Sequence, residues 1–192
     1  MKVDDSGMPE ESYWDSLFDI DGIIDWLALS KETSTIVEVG CGYGTFTVPL
    51  ARKSSGEIYT FDIESSMIAV AKNNVREAGV SNVTFELRDV LEQGTGLEPD
   101  SVDMVLLFNI LHFCERTVLL AEAARILKDG GKVAIIHWRK DMPTPRGPAM
   151  DVRPDQDQIL KSAAGLNLYL QGNSRILEPY HWGMQLVKGG TT

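Results

Sequence analysis

The chain has 192 residues, 43% of them hydrophobic and 24% charged, which is the make-up of a globular protein that buries a core without disulfide or metal staples. Eighteen Lys and Arg stand against 28 Asp and Glu, and the net charge of −10 repels polyanions, which argues against nucleic acid and acidic membrane surfaces as partners. The longest apolar run, Met104 to Phe108, is far too short to span a membrane, and two cysteines, Cys41 and Cys114, make no disulfide framework.

The first residues carry no apolar signal core, so the chain is expected in the reducing cytoplasm, as a monomer or homodimer. Residues 10 to 29 read as one or two helices with Trp14, Leu17, Phe18, Ile23, Ile24 and Leu27 as apolar contacts. Short apolar runs at 36–39, 58–61, 83–87, 102–108 and 133–136 then read as strands. Between them lie helical patterns. Ile68, Ala71, Val75 and Ala78 share one face, with Ser65 as N-cap and Gly79 as stop. A further helix runs from about Thr117 to Lys128 and ends at the glycines of Asp129-Gly130-Gly131. Strand and helix in turn predict a doubly wound α/β fold, a parallel sheet with helices on both faces.

The rest departs from that rhythm. Residues 139 to 157 hold four of the eight prolines and read as a stiff loop. A short helix near 155 to 164 follows. Two β-like runs, Leu166 to Leu177 and Trp182 to Lys188, are joined so tightly that they must be antiparallel neighbours. The expected organisation is one domain over 1–192: a helical cap (1–32), a core (33–138), a proline-rich lid (139–157), and a helix with a terminal hairpin (158–188).

The sequence Glu38-Val-Gly-Cys-Gly-Tyr-Gly44-Thr45 falls where the first strand turns into the first helix. Glycines there let backbone approach a ligand, and Pro49 places the helix N-terminus close by. A dinucleotide fingerprint would need its third glycine at position 45, which is Thr45, and no Gly-Lys-Ser/Thr phosphate loop follows. Asp62, 22 residues past Gly40 and ending the second strand, suits a ribose diol; the competing reading is a cap for the helix at Ser65.

Taken together, Glu38 to Gly44, Asp62-Ile63, Arg88-Asp89-Val90, Asp103 through Leu111-His112 and Arg125 through Gly131 resemble the class I S-adenosylmethionine-dependent methyltransferases, in particular the small-molecule branch that includes ubiquinone methylases. The resemblance implies a seven-stranded, mostly parallel, Rossmann-like sheet in a three-layer α/β/α sandwich, closed by an antiparallel hairpin. It implies S-adenosylmethionine as cofactor and S-adenosylhomocysteine as product. Gly40, Cys41, Gly42 and Gly44 would wrap the methionine moiety with Glu38 at the base, Asp62 would hold the ribose, and Ile63 and Met67 would pack on the adenine. Asp89 and the Val90 amide would meet the adenine edge, and Asn109, through its backbone, the methionine amino group. The bland readings are a buried acid for Glu38, a turn cap for Asp89, and core packing for Ile63 and Met67.

In such chemistry the enzyme mainly holds the partners aligned, with a base where a proton must leave. His112 and His137, at the ends of the fourth and fifth strands, are the catalytic candidates, against a structural reading for each. Arg146 in the proline-rich loop is expected to pair with an anionic group on a small-molecule acceptor, against a solvated loop. Tyr13 and Trp14 are expected to cover the site, against simple packing of the cap. No metal is expected, since metalloid chemistry needs more thiolates than Cys41 and Cys114. Methylation of a protein side chain and a non-catalytic sensor remain open, and Thr45 counts against a nicotinamide enzyme.

Overall fold

The computed structural model describes residues 8–112 and 115–190. Two short helices, α1 (Glu11–Asp15) and α2 (Ile20–Trp26), precede the sheet. Then come β1 (Thr35–Val39), α3 (Thr47–Lys53), β2 (Glu57–Asp62), α4 (Ser65–Glu77), β3 (Val83–Leu87), α5 (Val90–Gln93) and β4 (Val102–Phe108). The chain finishes with α6 (Arg116–Ile126), β5 (Leu127–Trp138), α7 (Gln156–Ala163), β6 (Leu168–Leu170), β7 (Arg175–Leu177) and β8 (His181–Lys188).

The sheet order is β3-β2-β1-β4-β5-β8-β6, with β7 also on β8. The first five strands are parallel, and β8 enters antiparallel to β5, with Ile135 opposite Met184. Consecutive residues of β4 point to opposite faces, so Val105 and Leu107 join a core under α6 and α7, while Met104, Leu106 and Phe108 join one under α2 and α3. Both faces are apolar because both are covered by helices. The sequence order runs outward in both directions from β1 and β4. Open α/β sheets bind ligands at such a reversal, beyond the carboxyl ends of the strands.

Three boundaries differ from the sequence reading. Ser65 is the first residue of α4, not its cap; Glu64 takes that position without a side-chain bond to the helix's first-turn amides, while Gly79 (φ +69°) follows the C-cap as expected. Helix α6 stops at Ile126, because Leu127 already pairs with Val102. The chain then bulges, with Gly130 at φ +79°, before Lys132 pairs with Met104, so the glycines mark an excursion within β5 rather than the helix end. The run Leu166 to Leu177 is interrupted around Gly172 (φ +70°), and its two halves, β6 and β7, pair with opposite ends of β8.

The proline-rich stretch is tied down. Gly147 (φ +105°) lies against Trp138 so closely that a Cβ would come within 2.8 Å of the indole. Arg153, only 5% exposed, donates to three strap carbonyls: Nε to Pro148 (2.9 Å), Nη1 to Arg139 (2.6 Å) and Nη2 to Arg146 (3.3 Å).

Candidate functional site

At the reversal of strand order lies a cavity of about 260 Å³. The glycine turn after β1 forms one side. Gly40 N–H donates to Phe61 O (2.7 Å), which folds the turn back onto β2. Gly40 and Gly42 (φ +82° and +52°) line the cavity with Cys41, whereas Gly44 packs behind it, where a Cβ would lie 3.3 Å from that of Ala71 in α4.

Asp62 sits at the mouth of β2. Its Oδ2 accepts the Gly42 amide (3.0 Å) and its Oδ1 the Glu64 amide (2.9 Å), so it braces the glycine turn, ties down the start of α4 and still faces the cavity. Burial pushes its carboxyl above the usual range. Asp89 lines the same cavity while its Oδ1 accepts the Leu91 amide (3.0 Å), the cap role the sequence also allowed. Ile63, Met67, Val90 and Asn109 complete the group that the sequence brought forward. Opposite them stands an apolar half that includes Trp14, Phe46, Phe108 and Leu119.

The charged side chains of this wall are mostly acceptors, Asp62, Glu64 and Asp89, while Asn109 and Thr45 can both donate and accept. Arg88 is the basic side chain at the wall, and its Nε is already paired with Glu86 at 3.0 Å. A pyrophosphate would meet carboxylates here, while a ligand carrying hydroxyls, amines and positive charge meets acceptors.

Other candidates lie outside the wall. Glu38 is 3% exposed and sits behind the turn, accepting from the hydroxyls of Thr47 (2.5 Å) and Thr60 (3.2 Å); burial raises its pKa to about 7. Tyr13, on the cap, is 41% exposed and away from the cavity. His112 and His137 pair edge to face, with ring centroids 5.7 Å apart. His137 is completely buried, shares a face with Val133 and Ile135, is driven well below its ordinary pKa by burial, and does not line the cavity. His181 lies on the opposite face, stacked on Phe18 at 4.4 Å. Arg146 and its loop contribute nothing to the wall, because the strap is folded onto Trp138 and its basic side chains are used locally: Arg139 on Asp141 (2.8 Å), Lys140 on Asp155 (2.5 Å) and Arg153 on carbonyls. Burial, with Glu38 and Asp62 near, raises the Cys41 thiol pKa and holds it protonated. Cys114 lies outside the described residues, among which no metal-ligating cluster occurs.

The sequence pattern of the methyltransferase domain family matches residues 30–171. The chain belongs to that family. Over 102 residues this methyltransferase domain is 30% identical to the methyltransferase GfsG of Streptomyces halstedii, a match covering 52% of this chain and 36% of that protein. Over 100 residues it is 34% identical to the methyltransferase AacuQ of Aspergillus aculeatus, covering 52% of this chain and 31% of that one. The matched segment thus spans about a third of either relative. A solved SAM dependent methyltransferase from Aquifex aeolicus shares the fold with a TM-score of 0.79 over 93% of this chain and 94% of that one, at 22% identity.

Sequence reasoning missed how the methyltransferase domain holds its cap. The two side chains between and after the glycines reach the cap: the Tyr43 hydroxyl donates to Pro9 O, and Thr45, which also lines the cavity, donates from Oγ1 to Asp15 Oδ1 (2.7 Å). Asn74 of α4 adds a bond from Nδ2 to Glu11 Oε1 (2.6 Å). These links hold the segment carrying Trp14 over the opening. Their partners are about 30 to 63 residues apart, and no local pattern marks them.

Proposed function

We propose that this chain transfers a methyl group from S-adenosylmethionine to an O, N or C nucleophile of a small molecule. The observation that carries the reading is the acceptor-rich, acidic wall at the strand reversal, made by Asp62, Glu64, Asp89 and Asn109 around the glycine turn. It suits a sulfonium nucleoside, with its cationic centre, ribose diol and adenine amine, and it opposes a dinucleotide pyrophosphate.

When bound, the cofactor supplies a methyl group activated by the sulfonium charge. The work left to the chain is positioning. Asp62 holds the ribose side with its remaining lone pairs, Ile63 and Met67 sandwich the base, and Asp89 with the Val90 amide reads the adenine edge. Gly40 and Gly42 allow the methionine portion to lie on backbone. Trp14, Phe46 and Phe108 keep water away from the methyl group, where a flat or apolar acceptor would lie. Should the nucleophile carry a proton, His112, half-buried at the end of β4, is the base we favour. The kinship with GfsG and AacuQ supports a small-molecule acceptor over a protein side chain, and the low cysteine content supports a cytoplasmic setting. Incubation with methyl-labelled S-adenosylmethionine and panels of small metabolites tests the reading. Label transfer to one of them is the expected result, and tight cofactor binding without transfer to any acceptor would favour a sensor.

A further inference from the structure

The apolar half of the cavity is largely aromatic. Trp14, Phe46 and Phe108 line it, and Phe18 fixes their angles by edge-to-face contacts, with centroids 5.1 Å from Trp14 and 5.2 Å from Phe46. Phe46 and Phe108 themselves meet at 5.0 Å and 84°. Aromatic faces carry negative charge density, so they attract cations as well as apolar groups. No basic side chain competes for that position. Among the described residues around the cavity the basic one is Arg88, which sits beside Asp89 and is paired with Glu86. The cap over the opening is acidic: Glu10, Glu11, Asp15, Asp19, Asp21 and Asp25 fall between residues 8 and 30, which include no Lys or Arg. Asp25 is answered by Lys53 of α3. The field of such a cap draws cations toward the opening and repels anions. The anionic acceptor expected from the sequence rested on Arg146, which the strap keeps off the wall.

We propose that the methyl acceptor is an amine, and that Trp14 and Phe46 recognise the positive charge its nitrogen carries after transfer; the inference rests on the methyltransferase reading above. An amine that arrives protonated first returns that proton to water, since attack needs the lone pair. The lone pair forms the new C–N bond as the C–S bond breaks. The bonding pair goes to sulfur, which ends neutral, and the positive charge ends on nitrogen. Transfer to an amine thus keeps a positive charge against the aromatic wall throughout, where the rings stabilise it. A carboxylate or phenolate would bring a negative charge that no basic side chain of the aromatic half meets, and burying it unpaired is costly.

The test is calorimetric, on the full chain saturated with S-adenosylhomocysteine, with three probes built on one phenol ring. The cation meta-trimethylammoniophenol mimics a methylated amine, meta-tert-butylphenol has the same shape without charge, and meta-hydroxybenzoate is anionic. The expected result is that the ammonium binds about fivefold or more tighter than its tert-butyl isostere, with the benzoate weakest. Trp14→Leu, which keeps an apolar side chain and removes the ring, should bring the ammonium and tert-butyl affinities together, and Trp14→Phe should keep most of the difference. Equal binding of those two probes to the wild type, or binding of none of the three, overturns the inference. So does tightest binding of the benzoate, which marks an anionic acceptor. An ammonium preference that survives Trp14→Leu undiminished also overturns it, because the acidic cap alone would then supply the preference. The wild-type ratio decides by itself if Trp14→Leu does not fold. A wild-type chain that fails to bind S-adenosylhomocysteine sinks the methyltransferase reading and this inference with it, whereas cofactor binding without an ammonium preference sinks this inference alone.

Discussion

Glu38 offers a sharp test of the physics of the site. Its carboxyl is buried behind the glycine turn, held by two threonine hydroxyls, with a pKa near 7 against an ordinary value of 4.5. Burial is the main cause, and Asp62 adds to it. Between pH 4.5 and 7 the native state therefore keeps a proton that the unfolded chain has released. Stability must fall as pH rises through that window and level off on either side. At 1.36 kcal/mol per pKa unit, the whole loss is about 3 kcal/mol. Glu38→Gln keeps an oxygen for Thr47 and Thr60 and has no charge to desolvate. Urea unfolding from pH 4 to 8.5 should find the variant's advantage over wild type growing by about 3 kcal/mol across the window. The difference between the two proteins is the quantity to read, because buried histidines tilt the wild-type curve the other way. Parallel curves would refute the claim that burial keeps Glu38 protonated up to about pH 7.

His181 is one of those histidines: burial lowers its pKa to about 3, so stability falls as pH drops from 6.5 toward 3, and His181→Leu should flatten that limb in the same assay. Gly147→Ala, with φ +105° and a Cβ 2.8 Å from the Trp138 ring, should cost about 1–3 kcal/mol by thermal unfolding. Arg153→Met leaves three strap carbonyls without their buried donor. It should destabilise by about 2–4 kcal/mol and raise amide exchange across residues 139–153, and unchanged exchange would contradict the strap. Thr45→Val removes the bond to Asp15; faster exchange confined to residues 9–15, with about 1 kcal/mol of lost stability, is expected.

What was legible in the sequence is what depends on local periodicity. The central strand β4 showed as an apolar run, because a strand covered on both faces needs no polar alternation, whereas β3 at the sheet edge showed by its alternation of Val83, Phe85 and Leu87 with polar residues. The cavity's glycines, Asp62 and Asp89 showed because each stands at a strand end, where the fold puts ligands whatever the rest of the chain does. Features set by distant pairing were hidden. Gly130 looked like a helix stop because its sequence cannot reveal that Leu127 already pairs with Val102. That Arg146 does not line the cavity was hidden, because the strap's fold over Trp138 depends on Arg153 reaching back to carbonyls 5 to 14 residues away. Only half of the separation of His137 from His181 was legible. Strand alternation puts His137 on the face of Ile135, but the register that pairs His181 with Trp138 comes only from the fold.

The central claim is that the acceptor-lined cavity takes a sulfonium nucleoside, and calorimetric titration tests it most directly. Purified protein would be titrated with S-adenosylmethionine, S-adenosylhomocysteine and NADH, alongside Asp62→Ala. The account predicts that the first two bind and NADH does not, with both affinities lost or severely weakened in the variant. Binding of NADH alone, or of nothing, would contradict it and leave the glycine turn a purely structural element.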